Sequence, residues 1–75
     1  MTHLAIAISK PEDIEYIIKF KRRWNEDVVL GMLQDAKAKL LAFRLVGKIT
    51  GDEFRTITHK IAVAHQETVN GQHQN

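Results

Sequence analysis

Residues 26–46 constrain the fold more than any other part of the sequence. Apolar residues recur there at alternating spacings of three and four, which place them on one stripe of an α-helix: Val29, Leu33, Ala36, Leu40 and Phe43. Further apolar residues lie on both sides of this stripe, so the apolar arc covers more than half of the helix circumference. A helix of this kind must be covered from several directions.

A first helix is expected before this region. Ser9 and Glu12 have the spacing of a capping box, in which each side chain accepts a hydrogen bond from the other residue's backbone N–H. Pro11 suits the first turn, where its missing N–H costs nothing. The pattern predicts a helix from about residue 10 to about residue 24.

The stretch LVGKITGDEF, residues 45–54, predicts a turn between two further helices. Asn25 is the expected N-cap of the long second helix, from about residue 26 to about residue 46. Gly47 is expected to end it in the left-handed conformation. Thr50 and Glu53 form a second capping box, which opens the third helix.

The apolar residues Ile49 and Phe54 flank that capping box at the positions of a hydrophobic staple, which fixes the angle at which the chain enters a helix. This stretch resembles the helix-turn-helix hairpin of short C-terminal domains. The resemblance implies a small oligomerising module without catalysis. The third helix is expected to end near Val69, and residues 71–75 are predicted to be a disordered tail.

These boundaries predict an all-α fold in one domain, residues 1–70. Three helices are arranged around a long central helix, and the second and third form a C-terminal hairpin. The N-terminal THLAIAI alternates large and small residues, which suits a short strand. It also suits the start of a helix that is interrupted before Pro11, and both possibilities remain open.

The width of the apolar arc on the second helix predicts self-association. The chain has 75 residues and no cysteine, so neither a large core nor a disulfide stabilises it. Two neighbouring helices cover only part of the arc. We therefore expect a homodimer whose interface includes Leu33, Leu40 or Phe43. The alternative is a monomeric three-helix bundle.

Composition limits the compartment and the partners. The apolar share is 44% and the charged share 27%, as in an ordinary globular domain. The longest apolar runs are far shorter than the roughly 20 residues of a membrane span. No signal peptide is evident, so a cytoplasmic location without membrane association is expected. A net charge of +2 does not by itself imply a polyanionic partner.

The segment KFKRRW, residues 19–24, is a candidate site for an anionic partner or a nucleic acid. Its cations are Lys19, Lys21, Arg22 and Arg23, and Trp24 offers a stacking surface. A strand followed by two helices resembles the ribbon-helix-helix repressors, which bind DNA. A structural role is the alternative. Cations at the C-terminal end of a helix that begins with carboxylates interact favourably with the helix dipole, and Trp24 lies on the apolar stripe, where a core position is expected.

The sequence shows no arrangement of residues that is typical of a catalytic site or of a metal-binding site. His59 and His65 are six positions apart, so they do not face one ligand from a helix. His65 is expected to be a packed residue on the apolar stripe of the third helix. Ser9 is assigned to a cap, and no cysteine is present. We expect no enzyme activity, no cofactor, no metal and no small-molecule substrate.

Two functional classes follow. The first is a small, non-enzymatic helical interaction protein that regulates or inhibits a larger protein partner, and that acts as a homodimer. The alternative is a nucleic-acid-binding regulator that uses the cations of the first helix.

Overall fold

The computed structural model describes residues 6–71. It contains three α-helices: α1, Pro11–Lys19; α2, Glu26–Leu45; and α3, Gly51–Gly71. A 3-10 turn, Lys21–Arg23, lies between α1 and α2. Within the described range no residue is in a strand. The predicted all-α architecture, with a long central helix and a C-terminal hairpin, is confirmed.

Helix α1 begins one residue later than the capping pattern predicted. Pro11 is its first residue, and the backbone of Lys10 is extended. The cap is provided by Asp13 and not by Glu12, because one oxygen of Asp13, Oδ2, accepts hydrogen bonds from the backbone N–H of Ser9 (2.9 Å) and of Lys10 (3.1 Å). The prediction of a box between Ser9 and Glu12 was therefore wrong by one position.

Helix α1 also ends earlier than predicted, at Lys19 and not at Trp24. Phe20 has φ −111° and ψ 24°, which leaves the α-helix, and the next three residues form the 3-10 turn. Phe20 lies one helical turn after Tyr16, and their ring centroids are 4.7 Å apart; the 3-10 turn brings Trp24 back, so that its ring centroid lies 6.4 Å from that of Tyr16. In a helix continued to residue 24, Trp24 would lie about 12 Å along the axis from Tyr16, too far for this contact.

The ends of α2 follow the predicted capping. The side chain of Asn25 accepts a hydrogen bond from the backbone N–H of Val28 (3.3 Å). Gly47 has φ +77°, the left-handed conformation that only glycine adopts at little cost. The N–H of Lys48 then donates to the carbonyl of Phe43 (2.9 Å), which satisfies one of the last free carbonyls of the helix.

The predicted capping box of α3 is present in both directions. The backbone N–H of Thr50 donates to the Glu53 carboxylate (2.7 Å), and the N–H of Glu53 donates to the Thr50 hydroxyl (3.1 Å). Ile49 is buried and Phe54 packs, half-buried, against the core, as a hydrophobic staple requires. The turn therefore sets the direction in which α3 returns along α2.

The core forms where α1 and α3 pack on the central helix. Each helix contributes one stripe of buried apolar residues: Ile14 and Ile17 from α1; Val29, Met32, Leu33, Ala36, Leu40 and Phe43 from α2; Ile57, Ile61 and Ala64 from α3. Ile8 and Ile49 complete it from the connecting segments. In the single chain these side chains are already removed from water, which is the main stabilising contribution to a domain of this size.

The residues assigned to the dimer interface belong to this intramolecular core. Leu33, Leu40 and Phe43 are 1%, 2% and 7% exposed. A side chain enclosed by its own chain has little surface left for a second copy, so the assignment of these residues to an exposed interface is corrected. Their spacing identified the most apolar stripe of α2, and this stripe faces α1 and α3.

The N-terminal segment passes beside α2 without regular structure. Ile8 is buried, and its carbonyl accepts a hydrogen bond from Lys39 Nζ (3.4 Å). Residues 1–5 lie outside the described residues, so the choice between strand and helix there stays open. Gly71 is the last residue of α3 and not the start of a tail; residues 72–75 also lie outside the described range.

Candidate protein-binding surfaces

The C-terminal end of α2 exposes three large apolar side chains. Leu41 is 51% exposed, Leu45 76% and Val46 69%. We call these three residues the exposed apolar end. Leu41 and Leu45 are one helical turn apart, so their side chains are neighbours on the same side of α2. The cations Arg44 and Lys48 lie beside them in sequence and are also exposed.

The lengths of the helices explain why this end is uncovered. Helix α2 has 20 residues and is about 30 Å long, whereas α1 has nine residues and is about 13 Å long. Helix α3 matches α2 in length, but a single helix covers only one side of another. The prediction that α2 is more apolar than its own neighbours can shield therefore holds at this end.

A second feature is an open groove between α2 and α3, with a volume of about 640 Å³. Leu30, Leu33 and Ile61 form its floor, since these are the least exposed of the residues that line it. Exposed residues form its walls: Gln34, Lys37, Thr58, Ala62, His65 and Gln66. Among the described residues that line the groove, none comes from α1. We call this feature the α2–α3 groove.

His65 lies on the wall of the α2–α3 groove and is exposed. The expectation that it is a packed core residue was wrong. Its neighbours on α3, Ile61 and Ala64, are buried, but His65 is displaced from them around the helix towards the open side of the hairpin. The stripe of α3 that α2 covers is narrow enough to leave His65 at its margin.

The four cations of residues 19–23 are not grouped on one helical face, because α1 ends at Lys19. The Nζ of Lys21 lies 3.0 Å from a carboxylate oxygen of Glu67 on α3, and the Lys21 side chain is only 16% exposed. The guanidinium of Arg23 stacks over the ring of Phe20 (4.2 Å from the centroid). Arg23 also donates a hydrogen bond to the Tyr16 hydroxyl (3.3 Å).

Intramolecular contacts thus engage most of the basic cluster. Lys19 lies 5.4 Å from the Phe20 ring centroid and Arg22 is exposed. Nearby, Glu15 of α1 pairs with α3, because Lys60 Nζ lies 3.2 Å from Glu15 Oε1. Trp24 is half-buried against the core, as predicted from its place on the apolar stripe. These contacts tie the 3-10 turn and α1 to α3.

Two further properties concern chemistry at the surface. In the described part of the chain, no three histidine, aspartate or glutamate side chains come together in a group that could hold a metal ion. None of the helices in residues 6–71 combines the length and the apolar composition that a membrane-spanning helix needs. The hydrogen bond from the Ser9 backbone lowers the pKa of Asp13 below its usual value, with help from the Lys10 backbone. That shift reflects a helix cap and not a reactive group.

The sequence contained a signal for the α2–α3 groove that motif analysis missed. Leu30, Leu33 and Lys37 recur with helical spacing, and so do Thr58, Ala62 and His65. Only the direction of the turn brings the two rows side by side. Comparisons of the chain with protein-family models, with curated proteins and with solved structures gave no significant match.

Proposed function

We propose that the protein is a non-enzymatic binding protein that acts as a homodimer and regulates or inhibits a larger protein by docking onto it. The exposed apolar end of α2 is the observation that carries the proposal. Leu41 and Leu45 lie one turn apart and Val46 follows Leu45 in the chain; large apolar side chains grouped on the surface of so small a chain are typical of an interaction site.

The chemistry of this surface defines the partner. Burying a leucine or valine side chain contributes about 1.5–3 kcal/mol, and Leu45 and Val46 have most of their surface available for this. The neighbouring Arg44 and Lys48 favour carboxylates at the edge of the contact. The expected partner is a folded protein with an apolar pocket that is bordered by acidic residues.

The test compares three forms of the full chain: wild type, Leu45→Glu and Val63→Glu. Val63 is the matched control, because it is a large apolar residue on α3 that is 41% exposed and lies away from the exposed apolar end. Each form is tagged and purified from the native cell, and the eluate is analysed by mass spectrometry and for nucleic acid. Far-UV circular dichroism checks that each variant is folded.

A protein present in stoichiometric amount with wild type and with Val63→Glu, and reduced at least about tenfold with Leu45→Glu, supports the proposal. The complex should survive moderate salt, because apolar burial holds it. Retention of the partner by Leu45→Glu, or equal loss in both variants, contradicts it. Recovery of salt-sensitive nucleic acid with no stoichiometric protein favours the nucleic-acid alternative.

A further inference from the structure

Three exposed cations at the end of α1 and in the 3-10 turn keep their charge: Lys19, Arg22 and Arg23. In residues 6–71 none of the three forms a salt bridge, and residues 1–5 and 72–75 include no aspartate or glutamate. Lys19 and Arg23 lie over the ring of Phe20, but contact with an aromatic ring does not neutralise a cation. Their charge is therefore available to a ligand.

The carboxylates of the neighbouring elements have other roles. Glu15 pairs with Lys60 (3.2 Å), and Glu67 pairs with Lys21 (3.0 Å). The acidic residues that begin α2 lie in its first turn, where the positive end of the helix dipole offsets their charge. The acidic first turn of α1 lies at the opposite end of that helix from Lys19. The three cations thus form a local surplus of positive charge.

One of the three cations is already held in position. The guanidinium of Arg23 lies 4.2 Å from the ring centroid of Phe20 and donates a hydrogen bond to the Tyr16 hydroxyl (3.3 Å). A guanidinium carries five N–H groups, so donors remain for a ligand. A side chain that is fixed before binding loses less conformational entropy when the ligand arrives.

An aromatic ring lies exposed beside these cations. Tyr16 is 40% exposed, and its ring packs against the half-buried rings of Phe20 and Trp24. Such a ring is held in place and still presents part of its surface to water, where an unpaired base can stack on it. We call the ring and the three cations the cation–aromatic surface: Tyr16, Lys19, Arg22 and Arg23.

We infer that the cation–aromatic surface binds a single-stranded nucleic acid, with the cations on its phosphates and an unpaired base stacked on Tyr16. Cations alone would suit any polyanion. The exposed ring beside them favours a strand with unpaired bases, because a duplex keeps its bases stacked and an acidic polypeptide has none.

This inference goes beyond the proposed function and does not rest on it. The cation–aromatic surface precedes the start of α2 at Glu26, whereas the exposed apolar end begins at Leu41, about 22 Å further along that helix. The two surfaces do not overlap, so a larger protein and a nucleic acid can be bound and tested separately.

Fluorescence anisotropy of the full chain measures the binding. The probes are labelled single strands of mixed sequence, one of RNA and one of DNA, each of about 12 nucleotides. Unlabelled duplex of the same sequence and poly-glutamate of similar length serve as competitors. The logarithm of the association constant should fall with the logarithm of the salt concentration with a slope of about −2, since each of three phosphate contacts contributes about −0.7.

Arg22→Gln tests the cations. It removes one phosphate contact, so in about 50 mM salt it should weaken binding about fivefold to tenfold and make the slope shallower by about 0.7. Arg44→Gln is the matched control, because it makes the same change at an exposed arginine near the far end of α2 and lowers the net charge equally. Its dissociation constant should stay within about twofold of wild type.

Tyr16 tests the stacked base. Tyr16→Leu removes the ring and should weaken binding at least about fivefold. Tyr16→Phe keeps the ring and loses only the hydroxyl that accepts from Arg23, so it should bind within about threefold of wild type. Far-UV circular dichroism checks that every variant is folded.

Four results would overturn the inference. The first is no binding of either strand up to about 0.1 mM protein in about 50 mM salt. The second is an equal loss in Arg22→Gln and Arg44→Gln, which would mean attraction by net charge alone. The third is tighter binding of the duplex or no effect of Tyr16→Leu, since no base would then be stacked. The fourth is displacement of the labelled strand by an equal amount of poly-glutamate, which would assign the surface to an acidic protein segment.

Discussion

Replacing Leu40 by alanine tests whether the most apolar stripe of α2 is an internal core or an interface. Leu40 is 2% exposed within the single chain, packed among the other core residues. Truncating such a leucine removes its burial and leaves a cavity, at a cost of about 2–5 kcal/mol. A domain of this length has a total stability of about 4–11 kcal/mol. Leu40→Ala should therefore lose about 3 kcal/mol, a large part of the total.

The matched control is the next residue, Leu41, which is 51% exposed. Leu41→Ala makes the same chemical change in the same helix but leaves no internal cavity, so it should cost less than about 1 kcal/mol. Urea unfolding followed by far-UV circular dichroism measures both free energies. In thermal unfolding, Leu40→Ala should lower the midpoint by about 12–24 °C, since 1 kcal/mol shifts it by about 4–8 °C at this size.

Dilution separates the two roles of Leu40. A core residue lowers the stability of the chain at every protein concentration, whereas an interface residue matters only where the dimer is populated. The reasoning fails if Leu40→Ala costs no more than Leu41→Ala, or if its effect disappears when the protein is diluted until it is monomeric. In that case the sequence-based assignment of Leu40 to an interface would be restored.

Two further predictions concern the helix ends. Gly47→Ala should cost about 1–2 kcal/mol in urea unfolding, because the φ of +77° strains an L-residue although its Cβ would meet no atom within 4 Å; an unchanged midpoint would contradict this. Asp13→Asn should destabilise the protein at neutral pH. Since the Asp13 pKa is lowered in the folded chain, its stabilising effect is complete above the usual value of 3.8 and is lost as the pH falls through the lowered value. The midpoints of wild type and Asp13→Asn should therefore converge in acid, and a constant difference would argue against this cap.

Local sequence predicted those parts of the fold that depend on residues close together in the chain. The N-cap at Asn25, the left-handed Gly47 and the reciprocal box of Thr50 and Glu53 are each made within about four positions, and all are present. At the start of α1, the cap uses Ser9 with Asp13 instead of the expected Ser9 with Glu12. Alternative caps one residue apart differ too little in energy for a sequence pattern to predict which one forms.

The end of α1 depended on tertiary contacts. Nothing between Lys19 and Trp24 forbids a helix; outside the helix, Trp24 contacts Tyr16 and Lys21 pairs with Glu67 on α3. The pair with Glu67 also covers much of the Lys21 side chain, which is 16% exposed. A local charge pattern cannot reveal this pair, because Glu67 lies on another helix.

By itself the sequence determined that α2 is a helix, where it begins and ends, and that its apolar arc is wider than its neighbours can cover. Periodicity relates the faces of a helix to one another, but it does not say which face another helix will cover. The tertiary structure decided that Leu33, Leu40 and Phe43 pack inside while Leu41, Leu45 and Val46 face outward. The physical reason is that the angle of the α2–α3 turn and the shortness of α1 select which part of the arc is buried.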